Sequence, residues 1–168
     1  IQQLLQLQSS GHSISPGRFD QYMYPYYRKD LEEGRLTREF AQELMDCIWV
    51  KLNDLNKCRD AASAEGFAGY SLFQNLIAGG QDAQGNDVTN DLSFLCIQAS
   101  KHVMLPQPSF SVRVWNGTPH EFLMKAAELT RTGVGLPAYY NDEVIIPALL
   151  SRGLSLAGAR EYNIIGCV

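Results

Sequence analysis

Residues 91–133 read DLSFLCIQASKHVMLPQPSFSVRVWNGTPHEFLMKAAELTRTG, and this stretch decides the fold class. In the first part, from Asp91 to Val103, apolar side chains recur at the spacing of a helix: Leu92, Leu95, Cys96 and Ala99. After the prolines of residues 105–108, the segment from Ser109 to Trp115 alternates polar and apolar side chains, which predicts a strand.

The third part of this stretch predicts another helix. Thr118-Pro119-His120-Glu121 is typical of a capping box with proline at the first helical position, and the helix should end near Gly133. His120 would then be a surface residue of the first turn. A helix, a strand and a helix in succession predict an α/β architecture.

Upstream of this stretch, residues 37–60 carry the clearest helical pattern. The predicted packed face consists of Phe40, Leu44, Ile48, Leu52 and Leu55. Between residues 63 and 90, closely spaced glycines flank Phe73, which indicates a strand or irregular segment where the backbone approaches another group. Gly79-Gly80 predicts a turn rather than a phosphate-binding loop, because no Lys-Ser/Thr pair follows it.

Downstream, Asn141-Asp142 and Ser155 are predicted helix caps, and a short helix leads to the last residues. Asn163-Ile164-Ile165 predicts a short buried strand, and Gly166 allows a sharp turn that would present the Cys167 sulfur. By these local rules alone, a packing role is the more common fate of a cysteine such as Cys167.

Composition narrows the class of protein. The chain has 168 residues, of which 45% are hydrophobic, and this is enough for one ordinary domain. However, Ile1 opens within a helix-like segment and Val168 closes within a strand-and-loop element, so we expect an internal piece of a larger polypeptide. A net charge of -4 with scattered basic residues argues against a nucleic-acid partner.

The four cysteines and the hydropathy pattern bear on location. Cys47, Cys58, Cys96 and Cys167 are widely spaced, which suggests neither a zinc site nor a disulfide framework and favours reduced thiols in a cytoplasm. No apolar run approaches the roughly 20 residues that span a bilayer, so no membrane association is expected.

Three segments could converge on a site. They are the polar, glycine-flanked loop around His12 and Ser13, the aromatic Phe73, and the Cys167 tip. A cysteine–histidine pair as in cysteine hydrolases is one interpretation, but no local signature of those families surrounds Cys167.

The order of motifs along the chain resembles the glycyl radical enzymes of the pyruvate formate-lyase superfamily. The resemblance covers nearly the whole chain. Its motifs are Gly11-His12-Ser13-Ile14-Ser15-Pro16-Gly17-Arg18-Phe19-Asp20-Gln21-Tyr22, Phe73-Gln74-Asn75-Leu76, Gly79-Gly80-Gln81, Asn90-Asp91-Leu92, Leu105-Pro106-Gln107-Pro108-Ser109, Pro137-Ala138-Tyr139-Tyr140-Asn141-Asp142 and Gly166-Cys167-Val168.

This resemblance implies a fold and a catalytic residue. The fold would be a ten-stranded α/β barrel of two antiparallel five-stranded halves, with residues 1–168 an internal segment of one large domain that ends at the catalytic cysteine loop. Cys167 would become a thiyl radical inside the barrel. The family's base, a glutamate two positions after the cysteine, and its radical-bearing glycine would both lie outside these 168 residues, so this piece alone would be inactive.

The resemblance also implies cofactors and partners. The cofactor would be the protein-based glycyl radical, with no metal and no organic cofactor in the barrel. A separate radical-SAM iron–sulfur activating enzyme would install the radical in a homodimeric enzyme of anaerobic metabolism. The enzyme would be cytoplasmic, free or within a bacterial microcompartment.

Within the superfamily, the chain is most similar to the glycerol and propanediol dehydratases. Gly166 stands where pyruvate formate-lyase has a second cysteine, which argues against formate acetyltransferase activity. His12 and Ser13 match residues that bind substrate hydroxyls, and Phe73 matches a residue of the pocket wall. The predicted function is therefore dehydration of a small diol such as glycerol or propane-1,2-diol.

Several alternatives stay open at this point. One is another eliminase specificity: hydroxyproline dehydratase, choline trimethylamine-lyase, isethionate sulfite-lyase or one not yet characterised. Phe73 argues against the sulfite-lyase, which has tryptophan there, and Gly11 and Leu72 replace acidic residues of hydroxyproline dehydratase. The others are a structural one, in which His12 and Ser13 only cap the next segment, and a catalytically inert barrel relic.

Overall fold

The fold was examined in a computed structural model, which describes residues 14–54, 61–66 and 73–166. The described residues form helices and strands in alternation, so the predicted α/β class is confirmed. In chain order the elements are α1 (Phe19–Tyr22), α2 (Tyr24–Glu32), α3 (Arg38–Asp54), α4 (Ala61–Gly66), β1 (Asn75–Gly79), α5 (Asp91–Val103), β2 (Ser109–Val114), α6 (His120–Thr130), β3 (Ala138–Asn141), α7 (Asp142–Leu150) and α8 (Leu156–Arg160).

The three strands form a parallel sheet in the order β1-β2-β3. Asn75 lies opposite Ser109 at one end of the β1-β2 pair, and Gly79 lies opposite Arg113 at the other. On the free side of β1, Gly17 forms a parallel bridge with Leu76. The chain just after the predicted His12-Ser13 loop therefore runs alongside β1.

One face of the sheet packs against helices. Leu76 and Ala78 of β1 and Phe110 and Val112 of β2 belong to the main hydrophobic core, together with residues of α3, α5 and α6. Because side chains alternate along a strand, the other face carries Asn75 and Ile77 of β1 and Ser111 and Arg113 of β2. These four are buried as well.

The predicted strand and helix in the deciding stretch are confirmed, with one difference for each. The polar side of β2 is not exposed: Ser111 is 1% and Arg113 0% exposed, because β2 is the middle strand and its second face is covered. Helix α5 has the predicted bounds. It also has a capping box that was not predicted, in which Asn90 accepts from the Leu92 backbone N–H and Ser93 accepts from that of Asn90.

Helix α3 packs with a face that matches the predicted one in part, since Leu52 is buried and Ile48 packs against the core as predicted. Its buried residues are Ala41, Met45, Trp49 and Leu52, whereas Phe40 and Leu44 are 50% and 44% exposed. The reason is tertiary: the Trp49 indole N–H donates to the Ser100 hydroxyl of α5 at 2.8 Å, and its ring lies 6.0 Å from that of Phe110. Leu55 lies outside the described residues.

Two smaller predictions were wrong. Thr118 does not cap α6, because its hydroxyl accepts from the Trp115 backbone N–H instead, and the helix begins at His120, which is exposed as predicted. Residues 163–165 form no strand, since no strand within the described residues pairs with them; Ile164 is buried and Ile165 exposed. The caps Asn141 and Ser155 are confirmed, since their side chains accept from the Glu143 and Gly158 backbones.

A buried carboxylate joins the first helix to the sheet. Asp20 is fully buried, and its Oδ2 accepts from the Gly79 backbone N–H at 2.8 Å and from the Ser93 hydroxyl at 2.6 Å. Among the described residues, its Oδ1 has no hydrogen-bond partner. Burial raises the pKa of Asp20 from its ordinary 3.8 to about 6, although these hydrogen bonds and the charge of Arg18 oppose the shift.

This shift predicts a pH-dependent stability. A carboxyl whose pKa is higher in the folded state stabilises the fold when protonated, so its contribution is present below about pH 4 and is lost as pH rises through about 6. We expect the stability of the wild type relative to Asp20→Asn to fall by about 2 kcal/mol between pH 4 and pH 7. Hydrogen exchange of β1 amides in both proteins measures the difference, and a pH-independent difference would contradict this account.

Candidate functional site

A chain segment that follows the predicted His12-Ser13 loop is fixed to the amino end of β1. The Ser15 hydroxyl accepts from the Asn75 backbone N–H at 3.1 Å. Gly17 then donates to the Asn75 carbonyl at 3.0 Å and accepts from the Ile77 N–H at 2.8 Å, as a parallel strand would. Ser15 follows the predicted Ser13 by two residues, so the chain is held in place just after the predicted loop.

The segment that precedes Cys167 reaches the same place. The Asn75 side-chain amide donates to the Gly166 carbonyl at 2.6 Å. Gly166 has φ +79°, in the left-handed region that favours glycine, which agrees with the predicted sharp turn. Asn163 lies against the same edge, because a Cβ placed on Gly17 would be 3.2 Å from its Oδ1.

Phe73 stands two residues before Asn75 in an unusual backbone conformation. Its φ is +52°, which is rare for a bulky residue. This conformation costs free energy and persists only where the surrounding structure holds it. The next residue, Gln74, supplies that fixation: its N–H donates to the Gln107 Oε1, its carbonyl accepts from Ser109, and its side chain donates to the Leu52 carbonyl. Phe73 is therefore held at the amino end of β1.

The flanks of all three predicted site segments thus meet at one end of β1. Ser15, Phe73 and Gly166 are each within two residues of Asn75 or bonded to it. His12, Ser13 and Cys167 themselves lie outside the described residues, and their roles stay predictions. Phe73 is half-buried next to this meeting point.

Sequence reasoning missed the polar side chains that build this site. Gln74, Asn75 and Gln107 are buried, and each uses its amide to hold a neighbouring backbone. A signal was present in the sequence. Two amides directly before an apolar strand, and a third between two prolines, are unusual places for exposed residues.

The other end of this sheet face carries a second polar cluster. The Arg113 guanidinium donates to both oxygens of Asp142 at 2.8 Å, and both side chains are fully buried. It also donates to the carbonyls of Arg160 and Tyr162 at 2.7 and 3.3 Å. Residues 160–166 therefore lie across the face of the sheet opposite the main hydrophobic core.

The cysteines differ in their surroundings. Among the described cysteines, Cys96 is buried and Cys47 exposed, and both are free. Burial raises the pKa of the Cys96 thiol well above its ordinary value, so it is protonated and shielded from reaction. Within residues 14–54, 61–66 and 73–166, no three His, Cys, Asp or Glu side chains are grouped as metal ligands would be. No helix in those ranges has both the length and the apolar character of a membrane span.

These features define a class: an α/β protein whose parallel sheet has its main hydrophobic core on one face and residues 160–166 on the other. The chain belongs to the pyruvate formate lyase-like family, because the sequence model of that family matches residues 1–168. The resemblance found in the motifs is thereby confirmed.

Two relatives of known structure have high sequence identity to this chain. The chain is 79% identical, with a TM-score of 0.89, to a structure concerning 1,2-propanediol dehydration in Roseburia inulinivorans, over 95% of this chain and 20% of that one. It is 66% identical, with a TM-score of 0.86, to the glycerol-bound B12-independent glycerol dehydratase from Clostridium butyricum, over 94% of this chain and 20% of that one.

One curated relative is likewise named as a dehydratase. The chain is 41% identical to the probable dehydratase YbiW of Escherichia coli K12, over 100% of this chain and 21% of that protein. The chain spans about a fifth of the length of the curated relatives it matches.

Proposed function

We propose that this chain is part of a glycyl radical enzyme that dehydrates a small vicinal diol, glycerol or propane-1,2-diol, through a thiyl radical at Cys167. The observation that carries the proposal is the 79% and 66% identity to structures concerned with these two diols. The two matches cover 95% and 94% of this chain.

The sheet supports an enclosed reaction space. We infer that β1, β2 and β3 belong to a ten-stranded barrel of two antiparallel five-stranded halves, with residues 1–168 an internal segment of its single domain. The main hydrophobic core lies on one face of the described sheet, so closure of the sheet would turn the other face inward. Residues 160–166 cover that face, and an enclosed site would protect a radical from water and oxygen.

The anchoring of Gly166 suits a residue that has to meet both a radical and a substrate carbon. The Asn75 amide fixes the carbonyl one residue before Cys167. The glycyl radical, carried elsewhere in the full-length protein, supplies the unpaired electron to this cysteine. Fixed placement matters because a displacement of about 1 Å can cost a rate factor of about 10².

The chemistry assigned to Cys167 is reversible hydrogen transfer. Its thiyl takes a hydrogen atom from the carbon that bears one hydroxyl, and the S–H bond formed is comparable in strength to the C–H bond broken. The first hydroxyl then loses its proton to the base, a glutamate expected two positions after Cys167, and the neighbouring hydroxyl takes up this proton and leaves as water. The same S–H returns its hydrogen to the carbon that lost the hydroxyl, so diol gives aldehyde plus water.

The remaining site residues orient the diol. His12 and Ser13 would hydrogen-bond its two hydroxyls, and Phe73 would close one wall of the pocket. Ser15 and Gln74 keep the backbones of these segments at the amino end of β1. The enzyme would need no metal or organic cofactor in the barrel.

The proposal includes partners and a location. A radical-SAM iron–sulfur activating enzyme would generate the glycyl radical, and the enzyme would act as a homodimer in the cytoplasm or in a bacterial microcompartment. Nothing in this assignment involves nucleic acid or a membrane.

The test is an anaerobic assay of the full-length protein after activation by its activating enzyme. We expect aldehyde and water from glycerol or propane-1,2-diol, and much slower turnover of choline, isethionate and trans-4-hydroxyproline. The control is the same mixture without S-adenosylmethionine. Turnover of one of the other substrates without turnover of either diol would contradict the proposed specificity.

A further inference from the structure

The segment that leads to Cys167 is held by side chains at both of its ends. At its start, the guanidinium of Arg113 contacts the carbonyls of Arg160 and Tyr162; at its end, Asn75 contacts the carbonyl of Gly166. Between these two anchors the chain has no regular secondary structure. Its course therefore depends on side chains of the sheet.

The spacing of the anchors shows how the segment runs. Arg113 lies opposite Gly79, four residues beyond Asn75, which is roughly 13 Å at about 3.3 Å per residue. Tyr162 and Gly166 are four residues apart, and Asn163 between them already lies beside Gly17 at the edge of β1. The segment crosses the sheet face from the carboxyl end of β2 to the amino end of β1 and arrives at Ser15 and Phe73.

The anchor at Arg113 is built as a unit. Asp142 accepts from Nε and Nη2 of the guanidinium, while the Tyr162 hydroxyl donates to the same carboxylate at 2.8 Å. The Tyr162 ring lies over the guanidinium, 4.0 Å from its carbon to the ring centroid. Burial and the neighbouring Asp142 raise the pKa of Tyr162, so its hydroxyl keeps the proton that it donates.

Room for this unit is provided by glycine. A Cβ on Gly80 would lie 2.6 Å from the Arg113 Nε and 2.8 Å from its Cζ, closer than atoms can approach. The Gly79-Gly80 pair, predicted as a turn, thus also leaves space for the guanidinium.

Stability alone gives a poor explanation of a fully buried ion pair. Apolar residues of similar volume often stabilise a core at least as well, because removing two charges from water is expensive. What apolar residues cannot do is donate to the carbonyls of Arg160 and Tyr162. Building on the proposed function, we propose that Arg113, Asp142 and Tyr162 are positioning residues that set the path of residues 160–166 and thereby the placement of the Cys167 sulfur.

The test replaces the pair without leaving an unpaired charge. In the activated full-length protein, Arg113→Met/Asp142→Leu should lower kcat for propane-1,2-diol by about 10²-fold, because the sulfur is no longer fixed. KM and the yield of glycyl radical by electron paramagnetic resonance should change little. The primary deuterium isotope effect on kcat, with substrate deuterated at the hydroxyl-bearing carbon, should increase. A matched control is Arg28→Gln/Glu32→Gln, which removes an exposed ion pair of nearly the same length and should alter none of these values.

A milder variant, Tyr162→Phe, provides the test if the double variant does not fold. Tyr162→Phe keeps the ring over Arg113 and loses only the bond to Asp142, so kcat should fall about tenfold with a larger isotope effect. Unchanged kcat and isotope effect in a folded variant would overturn the positioning role while leaving wild-type diol turnover intact. A wild type that dehydrates no diol would overturn both the positioning role and the proposed function.

Discussion

Replacing Cys167 with serine in the activated full-length protein is expected to abolish diol dehydration while leaving the glycyl radical in place. A serine O–H bond is stronger than a C–H bond, so an oxygen radical at this position would form only with a large energetic cost. Without a hydrogen carrier, the substrate cannot be activated. Aldehyde production and the electron paramagnetic resonance signal, measured on the same sample, check both parts of the expectation.

The chain offers a control for this substitution. Cys47 is exposed on α3, whose packing side is formed by other residues, so Cys47→Ser should turn over diol at the wild-type rate. Turnover by Cys167→Ser at a rate close to wild type would show that Cys167 is not the hydrogen carrier. Loss of the radical signal would instead indicate that the substitution prevented activation.

The second large effect concerns the buried ion pair. Asp142→Ala leaves the Arg113 guanidinium without its carboxylate in a site where both side chains are 0% exposed. Breaking a buried pair in this way costs about 3–5 kcal/mol. Because the loss is local, protection of residues 155–166 against hydrogen exchange should fall by about 10²-fold or more.

Burial rather than distance decides the size of this effect. Glu32→Ala breaks the Arg28–Glu32 pair, which is nearly as short at 2.7 Å but has side chains 66% and 61% exposed. Loss of this exposed ion pair should change the hydrogen-exchange protection of the surrounding amides by less than about tenfold. Arg113→Met/Asp142→Leu should also be far milder than Asp142→Ala, since it leaves no unpaired charge. Equal effects of Asp142→Ala and Glu32→Ala would contradict this interpretation.

The elements that sequence reasoning predicted well are those determined by local signals. Helix α5 has period-3.6 apolar positions and a polar residue before it, and the strand at 109–114 has clear alternation. Asn141 and Ser155 cap helices through bonds to residues two or three positions away. Such signals are complete within a few residues, so they can be read from the sequence.

The features that were missed depend on residues far apart in the chain. The packing side of α3 follows from the bond between Trp49 and Ser100. The Thr118 hydroxyl could cap α6 or accept from the Trp115 backbone N–H, and in the structure it accepts from Trp115. Residues 163–165 have a strand-like composition, but no strand in the part of the chain that the structure describes pairs with them, and composition does not reveal whether a pairing strand exists.

In the candidate site too, some features follow from local sequence signals and others depend on residues far apart in the chain. Local rules could not distinguish Cys167 from a packing cysteine, and only the family resemblance assigned it a role. The convergence of Ser15, Phe73 and Gly166 on Asn75 arises from hydrogen bonds between residues 60 and 91 positions apart in the chain. Asn75 and Arg113 act through the backbone of other segments, so their roles become visible only once the chain is folded.

The central claim is that the His12-Ser13 loop, Phe73 and Cys167 form one diol site at the amino end of β1. A crystal structure of the full-length protein with propane-1,2-diol bound tests it most directly. We expect the Cys167 sulfur within about 3 to 4 Å of the hydroxyl-bearing carbon, with His12 and Ser13 hydrogen-bonded to the hydroxyls. A diol bound elsewhere in the protein, out of contact with Cys167, would contradict it.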